Sequence, residues 1–257
     1  MTHDTLLITG ATGVLGREVL DRARRTGGPV RALTRRTALP DDPGVDWRTG
    51  DLTAGTGLTE AFTGVDAVIH CASDPRNPQH DLTAFGHLLA AAREAGVRHV
   101  VNISIVGIDR IPYRYYRIKL EGERMLADSG LGWSNLRATQ FPQLLDTALT
   151  ALAKLPVVPI PARTPCQPVD PREVADRLVE LALGEPVGHA PDFAGPTAYP
   201  ATRLAADWLH ATGRRRAVLP VPLPGRLGSA LRAGHLTAPA HASGTRTWEQ
   251  YLATKSA

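Results

Sequence analysis

The sequence predicts an α/β fold, a Rossmann-type doubly wound parallel sheet with a small C-terminal lobe. Short apolar runs alternate with stretches of helical periodicity through the first half of the chain, and a glycine-rich turn joins the first run to the first such stretch. Alternating strands and helices form βαβ units, whose right-handed crossovers place helices on both faces of a parallel sheet. The length of 257 residues allows one large domain, or one domain with a small annex.

The individual elements follow from periodicity and from the residues that end them. Six apolar runs in the first half are expected to be strands, at 6–9, 30–34, 45–48, 67–70, 100–105 and 133–137. Helical spacing predicts helices at 16–25, 82–95, 115–129, 171–183, 201–211 and 225–233. Prolines become frequent after Phe141. We therefore expect a Rossmann core over residues 1–141 and a lobe over 142–257 that packs on it, in a single structural unit.

Composition and charge exclude several classes of protein. With 43% hydrophobic and 21% charged residues, the chain is neither disordered nor a coiled coil. The formal net charge is +4, but the basic residues are nearly all arginines scattered along the chain, without a recognisable nucleic-acid-binding module. Two cysteines outside any C-x-x-C pair support neither a disulfide framework nor a zinc site. Without a signal-like segment or an apolar run of membrane-spanning length, we expect a cytoplasmic chain that binds no nucleic acid, membrane or metal.

The glycine-rich turn is the strongest functional motif. Gly10, Gly13 and Gly16 follow a G-x-x-G-x-x-G pattern between the first strand and the first helix. The first glycine permits a tight turn, the second lets a pyrophosphate approach the backbone, and the third lets the helix pack closely on the strand. We therefore predict a dinucleotide whose pyrophosphate rests on the helix N-terminus, the alternative being a glycine-rich turn without a ligand. The other turn residues expected to contact it are Thr12, Val14 and Leu15.

The end of the second strand indicates which dinucleotide is preferred. An Asp or Glu at this place binds the ribose 2′-hydroxyl of NAD, whereas the sequence here ends in Arg35 and Arg36. Guanidinium groups can grip a 2′-phosphate bidentately. The two arginines therefore favour NADP(H) over NAD(H), unless one or both are merely solvated.

Other segments that follow strands are expected at the edge of the sheet where ligands bind in such folds. Asp51, followed by Leu52, is expected near the adenine amino group, or else caps a simple turn. The small residues Cys71, Ala72 and Ser73 leave room for the cofactor, and Cys71 has no base beside it in the sequence to make it a nucleophile. The nicotinamide is expected beside Thr139, Gln140 and Phe141. His80 is either a substrate contact or, more simply, a surface histidine.

These motifs resemble the short-chain dehydrogenase/reductase superfamily, in its atypical NmrA-like branch of NAD(P)H-binding proteins. The resemblance covers most of the chain and is specific for cofactor binding rather than for the reaction. The stretches that carry it are Thr9–Gly16, Gly50–Leu52, His70–Ser73, Asn102–Gly107, Tyr115–Lys119 and Leu136–Phe141.

The resemblance also implies catalytic residues. The superfamily's signature, Tyr-x-x-x-Lys with an upstream serine, is matched by Tyr115, Lys119 and Ser104. It implies that Tyr115 protonates a nascent alkoxide, that Lys119 lowers the tyrosine pKa and contacts the nicotinamide ribose, and that Ser104 hydrogen-bonds the substrate oxygen. Ser104 lies closer to Tyr115 in sequence than is usual, and Tyr113 and Tyr116 are alternative phenols. Otherwise Tyr115 is a half-buried helix aromatic and Lys119 a solvated or ribose-binding lysine.

Three functions remain open on these residues. The first is an NADPH-dependent oxidoreductase that reduces a small carbonyl, quinone or related electrophile by hydride transfer, in secondary metabolism or detoxification. Residues 142–257 are then the substrate-binding lobe, the partner is a small-molecule substrate, and the chain is a monomer or homodimer. The second is a non-redox enzyme, such as an isomerase, epimerase or cyclase. The third is a non-catalytic NADP(H)-binding redox sensor.

Overall fold

The structure is a computed structural model and describes residues 4–39 and 41–255. The strands are β1 Leu6–Thr9, β2 Val30–Thr34, β3 Asp46–Thr49, β4 Ala67–His70, β5 His99–Ile105, β6 Gly132–Ala138, β7 Val157–Pro161, β8 Pro165–Cys166, β9 Gly188–His189, β10 Tyr199–Pro200 and β11 Ala217–Val221. The helices are α1 Val14–Arg24, α2 Leu58–Phe62, α3 Pro78–Glu94, α4 Arg114–Ala127, α5 Pro142–Leu152, α6 Pro171–Leu183, α7 Ala201–Ala211, α8 Gly225–Arg232 and α9 Trp248–Ala253. A short 3₁₀ helix spans Pro239–His241.

The central sheet has the strand order β3-β2-β1-β4-β5-β6-β9. Strand β1 pairs in parallel with both β2 and β4, and the next pairs outward, β2 with β3 and β4 with β5, are also parallel. From β1 the chain builds the sheet outward first through β2 and β3, and then on the other side through β4, β5 and β6. This strand order is that of doubly wound dinucleotide-binding folds. The predicted Rossmann-type α/β fold is confirmed.

The chain divides into two compact units that are interleaved along the sequence. Unit 1 contains the chain up to Ser104, together with Arg117–Leu136 and Pro171–Ala190. Unit 2 contains Ile105–Tyr116, Arg137–Asp170 and the chain from Pro191 onward. The sequence analysis expects one domain boundary after residue 141, whereas each unit of the structure is made of three separate stretches of the chain. Helix α6, which the sequence analysis placed in the C-terminal lobe, lies in unit 1 because it packs along α1.

The core of unit 1 is built on apolar strands. Every residue of β1 and β4 is buried, as expected of parallel strands in the middle of a sheet. On one face, Leu7 and Val68 pack in the same cluster as Phe85 and Leu88 of α3. Because the apolar side chains fill the faces of the sheet, the polar residues of unit 1 that could bind a ligand collect at the carboxyl ends of the strands.

Unit 2 has its own core, centred on the fully buried Trp208 and Trp248. Two small sheets accompany it, a parallel pair of β7 with β11 and an antiparallel pair of β8 with β10. Helix α5 is not among the elements that the sequence predicts. Pro142 occupies the first turn of the helix, where its missing N–H costs nothing. Among the described residues, no helix is both long enough and apolar enough to cross a membrane.

Candidate nucleotide site and acid–base residues

The glycine turn after β1 depends on backbone close approach. Gly10 has a φ of +68°, and a Cβ added to it would lie 2.6 Å from the backbone nitrogen of Ala72. The amide of Gly13 donates to the carbonyl of Gly10 at 2.9 Å, and a Cβ on Gly16 would collide with that same carbonyl. The turn is thus held tightly against the residues that follow β4, as the glycine spacing predicts.

Helix α1 begins directly after this turn, with Gly13 as its N-cap. No side chain of the described residues caps it, and its first turn contains no acidic residue. An uncapped helix N-terminus without a competing carboxylate suits an anion. Of the predicted contacts, Thr12 and Val14 are exposed at the turn, whereas Leu15 is buried in the core.

Arg35 and Arg36 follow β2 and are both exposed. Their guanidinium groups form no ion pair with the described residues, although most other arginines of unit 1 do. The backbone of Arg36 is fixed, since its amide donates to Thr34 Oγ1 at 3.2 Å and its carbonyl accepts from Thr49 Oγ1 at 3.2 Å. The structure therefore presents two cations that have no carboxylate partner among the described residues.

The loop that follows β3 is organised by Asp51. Its Oδ1 accepts from the amides of Thr53 at 2.7 Å and Ala54 at 3.3 Å, so the carboxylate caps a turn. Leu52 is buried, and its carbonyl accepts from Nδ1 of His87 at 2.8 Å. Asp51 therefore caps a turn through Oδ1, which is one of the two roles expected from sequence. The other role, a position near the adenine, stays a prediction.

His70, at the end of β4, is buried and neutral. Its Nδ1 shares a 2.8 Å hydrogen bond with Thr9 Oγ1, and its ring stacks on Phe85 with centroids 4.7 Å apart. Burial, assisted by the nearby Lys119 charge, lowers the pKa of His70 to about 3. The pair ties the ends of β1 and β4 together beside the glycine turn.

The segment Cys71–Ser73 is anchored by Asp81 of α3. The Ser73 hydroxyl donates to Asp81 Oδ2 at 2.8 Å, and the amide of Asp74 donates to Oδ1. Burial raises the pKa of the Cys71 thiol to about 12, so the nucleophilic thiolate is suppressed. Sequence reasoning missed Asp81, because an Asp in the first turn of a helix is ordinary on its own.

Lys119 lies half-buried on α4 in unit 1. Burial lowers the pKa of its ammonium group, while Asp81, Glu123 and Cys71 oppose that shift. A cavity of about 20 Å³ is lined by Lys119, Asp81 and His70 among others, which is room for about one water molecule.

Buried polar side chains form a chain behind Lys119. Glu123 accepts from Asn135 Nδ2 at 2.9 Å, and Asn135 Oδ1 accepts from Asn102 Nδ2 at 2.7 Å. All three are almost completely buried. Buried amides and carboxylates satisfied in this way fix strands β5 and β6 relative to α4.

Ser104 is buried near the end of β5. In the described part of the chain, its Oγ has no hydrogen-bond partner. Buried hydroxyls are usually paired, so an orphan points to a missing ligand or water. This is the behaviour expected of a serine that hydrogen-bonds a substrate oxygen.

Tyr115 lies in unit 2 on the same helix as Lys119, α4, one turn earlier. It belongs to a cluster with Tyr113 and Tyr116, whose ring centroids are 5.4 to 6.4 Å apart. Tyr113 is 51% exposed, whereas Tyr116 is half-buried and burial raises its pKa to about 12. A phenol that is hard to ionise is a poor proton donor, which argues against Tyr116 in that role.

The segment that follows β6 forms hydrogen bonds within unit 2. Gln140 donates from Nε2 to the carbonyl of Leu236 at 2.7 Å and accepts from the amide of Gln167 at 3.0 Å. Thr139 is buried, and Phe141 is the N-cap of α5. The Gln140 amide is therefore committed to loops of its own unit, and cofactor contact by Thr139, Gln140 or Phe141 stays a prediction. His80 is exposed, in keeping with the surface alternative.

Comparison with known proteins decides the family. A sequence model described as NAD(P)H-binding matches residues 10–155, which is more than half of the chain. The chain belongs to the NAD(P)H-binding family. The matched segment includes the glycine turn, both arginines and Lys119, and the resemblance to atypical short-chain dehydrogenase/reductases is confirmed at the level of this family.

This chain is similar to several named reductases. It is 33% identical to a (4-alkanoyl-5-oxo-2,5-dihydrofuran-3-yl)methyl phosphate reductase from Streptomyces griseus, over 81% of this chain and 74% of that protein. It is 28% identical to quinone oxidoreductase 2 of Escherichia coli, over 82% and 75% of the two chains. Among solved structures, an NADPH-dependent quinone oxidoreductase from Escherichia coli complexed with NADPH superposes with a TM-score of 0.82. That match covers 97% of this chain and 99% of the other at 21% identity, and it shows the shared fold.

Replacing Gly10 by alanine should abolish nucleotide binding and destabilise the protein. A side chain at this φ is strained by about 1–2 kcal/mol, and the Cβ also collides with the backbone of Ala72. Gly64→Ala is a matched control, because Gly64 has a φ of +71° but nothing within 4 Å of an added Cβ. Thermal unfolding and calorimetric titration with NADPH measure both effects. Equal behaviour of the two variants would show that the close approach to Ala72 is unimportant.

The buried His70 should make the protein less stable in mild acid. Its pKa is about 3 in the folded protein but about 6.5 in the unfolded chain, so only the unfolded chain takes up the proton between these values. Stability therefore falls as the pH drops below about 6.5. From pH 6.5 to 5 we expect wild type to lose about 2 kcal/mol more than His70→Gln. Urea unfolding at the two pH values measures this, and parallel losses in both proteins would contradict it.

Proposed function

We propose that this chain is an NADPH-dependent oxidoreductase that reduces a small carbonyl, quinone or related electrophile by hydride transfer. The observation that carries the proposal is the placement of Lys119. The half-buried Lys119 lies near Cys71, and Cys71 belongs to the segment that packs against Gly10. Tyr115 precedes Lys119 by one turn of α4. The Escherichia coli and Streptomyces relatives, both named as reductases or oxidoreductases, support the same reaction class.

The residues present fit a nicotinamide dinucleotide. The backbone of Gly10 and Gly13 and the uncapped start of α1 suit its pyrophosphate. Arg35 and Arg36 suit a 2′-phosphate, which is why we propose NADP(H) rather than NAD(H). Lys119 would hold the hydroxyls of the nicotinamide ribose.

The acid–base work belongs to three side chains of this protein. Bound NADPH supplies the hydride that the electrophilic carbon of the substrate accepts. The Tyr115 hydroxyl donates its proton to the substrate oxygen, and the positive charge of Lys119 favours the phenolate that remains. The Ser104 hydroxyl donates a hydrogen bond to that oxygen, which satisfies its buried Oγ.

Residues 142–257 are proposed to bind the substrate, with one change to the boundary that the sequence suggests. Pro171–Ala190 is assigned to the nucleotide-binding part, since α6 packs on α1. The prominent exposed apolar side chains of unit 2 include Leu144 at 63% and Leu219 at 49%. They are consistent with a hydrophobic small molecule.

The test is the oxidation of NADPH, followed at 340 nm, with quinones, ketones, enones and azo dyes as acceptors. The proposal expects acceptor-dependent oxidation with at least one class, and slower oxidation with NADH at equal concentration. Tight NADPH binding without turnover on any acceptor would favour the redox sensor. Conversion of a substrate with the nucleotide unconsumed would favour the non-redox enzyme, and either result would overturn the proposal.

A further inference from the structure

Asp81 uses both carboxylate oxygens to hold the segment after β4. Oδ2 accepts from the Ser73 hydroxyl at 2.8 Å, and Oδ1 accepts from the amide of Asp74. Asp81 lies in the first turn of α3, where the helix dipole favours a negative charge. The carboxylate therefore links the start of α3 to the segment that packs against the glycine turn.

Asp81 and Lys119 line the same small cavity, and the charge of the carboxylate acts on the ammonium group. Among the described residues, the other titratable groups near Lys119 are His70 and Cys71, from the end of β4, and Glu123 and Tyr115 from its own helix. Burial keeps His70 as a neutral imidazole and Cys71 as a thiol, because their pKa values are about 3 and about 12. Two carboxylates, Asp81 and Glu123, are thus left to balance the ammonium charge.

These two carboxylates differ in what else they hold. Glu123 is deeply buried and bonded to Asn135, inside the network that fixes β5 and β6. Asp81 is only partly buried, comes from a different helix, and binds the segment expected to contact the nucleotide. A change at Asp81 therefore alters the charge balance of Lys119 without disrupting the buried core.

We propose that Asp81 is a positioning residue that holds the Ser73–Asp74 backbone in place and keeps Lys119 in its ammonium form. Its importance for catalysis rests on the proposed function, in which Lys119 and Cys71–Ser73 contact the nucleotide. A half-buried lysine loses its proton more readily than an exposed one, since burial disfavours the charged form. A nearby carboxylate opposes that effect and favours the ammonium form.

The charge balance can be measured directly because the chain has three lysines, Lys119, Lys154 and Lys255. Protein labelled with [¹³C]lysine gives one Cε resonance for each, and Lys119→Arg assigns the resonance of interest. In Asp81→Asn, whose side-chain oxygen can still accept from the Asp74 amide, we expect Lys119 to titrate at lower pH than in wild type. Lys154 and Lys255 should titrate unchanged. Asp81→Glu should restore the Lys119 titration, and Ser73→Ala, which removes the hydroxyl but no charge, should leave it in place.

An unchanged Lys119 titration in Asp81→Asn would overturn the proposal, whatever nucleotide the protein binds. If that variant fails to fold, Asp81→Ser provides a second neutral side chain for the same titration. NADPH affinity across the pH range distinguishes the two proposals. We expect Asp81→Asn to bind about tenfold more weakly than wild type on the alkaline side, where wild-type Lys119 is still charged. A shifted Lys119 titration with unchanged affinity would leave Asp81's role standing and remove Lys119 from the nucleotide contacts.

Discussion

Tyr115→Phe should lower kcat for NADPH-dependent reduction by about 10²–10⁴-fold, the usual contribution of a positioned general acid. The aromatic ring and its packing against Tyr113 and Tyr116 are retained, so the fold and the affinity for NADPH should be unchanged. Single-turnover oxidation of NADPH with a saturating acceptor measures the loss, and calorimetry measures the affinity.

Two neighbouring tyrosines are the matched controls for this result. Tyr116→Phe removes a phenol whose pKa is raised to about 12, and Tyr113→Phe removes an exposed one. Neither should change kcat by more than about threefold. Equal activity of Tyr115→Phe and wild type would remove Tyr115 as the proton donor, and a large loss only in Tyr116→Phe would transfer the role to that residue.

Replacing Arg35 and Arg36 together by alanine should weaken NADPH binding by about 100-fold or more. Each charge-assisted contact to a phosphate is worth about 1.5–3 kcal/mol, and neither arginine is engaged in an ion pair within the described residues that could take up the loss. NADH lacks the 2′-phosphate, so its affinity should fall less than about threefold. Calorimetry at fixed salt measures both nucleotides.

The control for long-range charge effects is Arg215→Ala with Arg216→Ala, an exposed pair that removes the same net charge from unit 2. Neither arginine belongs to the proposed 2′-phosphate contacts, so this variant should bind both nucleotides as wild type does. An equal loss of NADPH and NADH affinity on removal of Arg35 and Arg36 would contradict the 2′-phosphate assignment.

The sheet could be predicted from sequence because its strands are apolar and lie between helix-forming segments. Runs such as Leu6–Thr9 and Ala67–His70 are found as β1 and β4 with the same bounds, and the glycine turn joins β1 to α1 as expected. Short or proline-rich elements were missed for physical reasons. Helix α2 has only five residues, too few for a clear period, and α5 begins at a proline that reads as a breaker until its place in the first turn is known.

Candidate site residues could be named from sequence wherever a residue type and its place along a strand were enough, and their roles stay predictions. Gly10, Arg35 and Ser104 all follow or end strands, and the structure gives each a geometry that suits its predicted role. Asp81 and the amide of Gln140 could not be assigned in this way. Their partners, Ser73 and Leu236, are set by tertiary contacts across 8 and 96 residues of sequence.

The fate of the hydride tests the proposed function most directly. With a ketone acceptor, whose carbinol carbon keeps the transferred hydrogen, and NADPH deuterated at one face of C4 of the nicotinamide, the reduced product should gain one mass unit. With the opposite face labelled it should gain none. Such stereospecific transfer is the result expected if the nucleotide is held by the glycine turn and Lys119 while Tyr115 supplies the proton. A product formed without deuterium from either labelled nucleotide, by a protein that nonetheless binds NADPH, would contradict hydride transfer as the function of this chain.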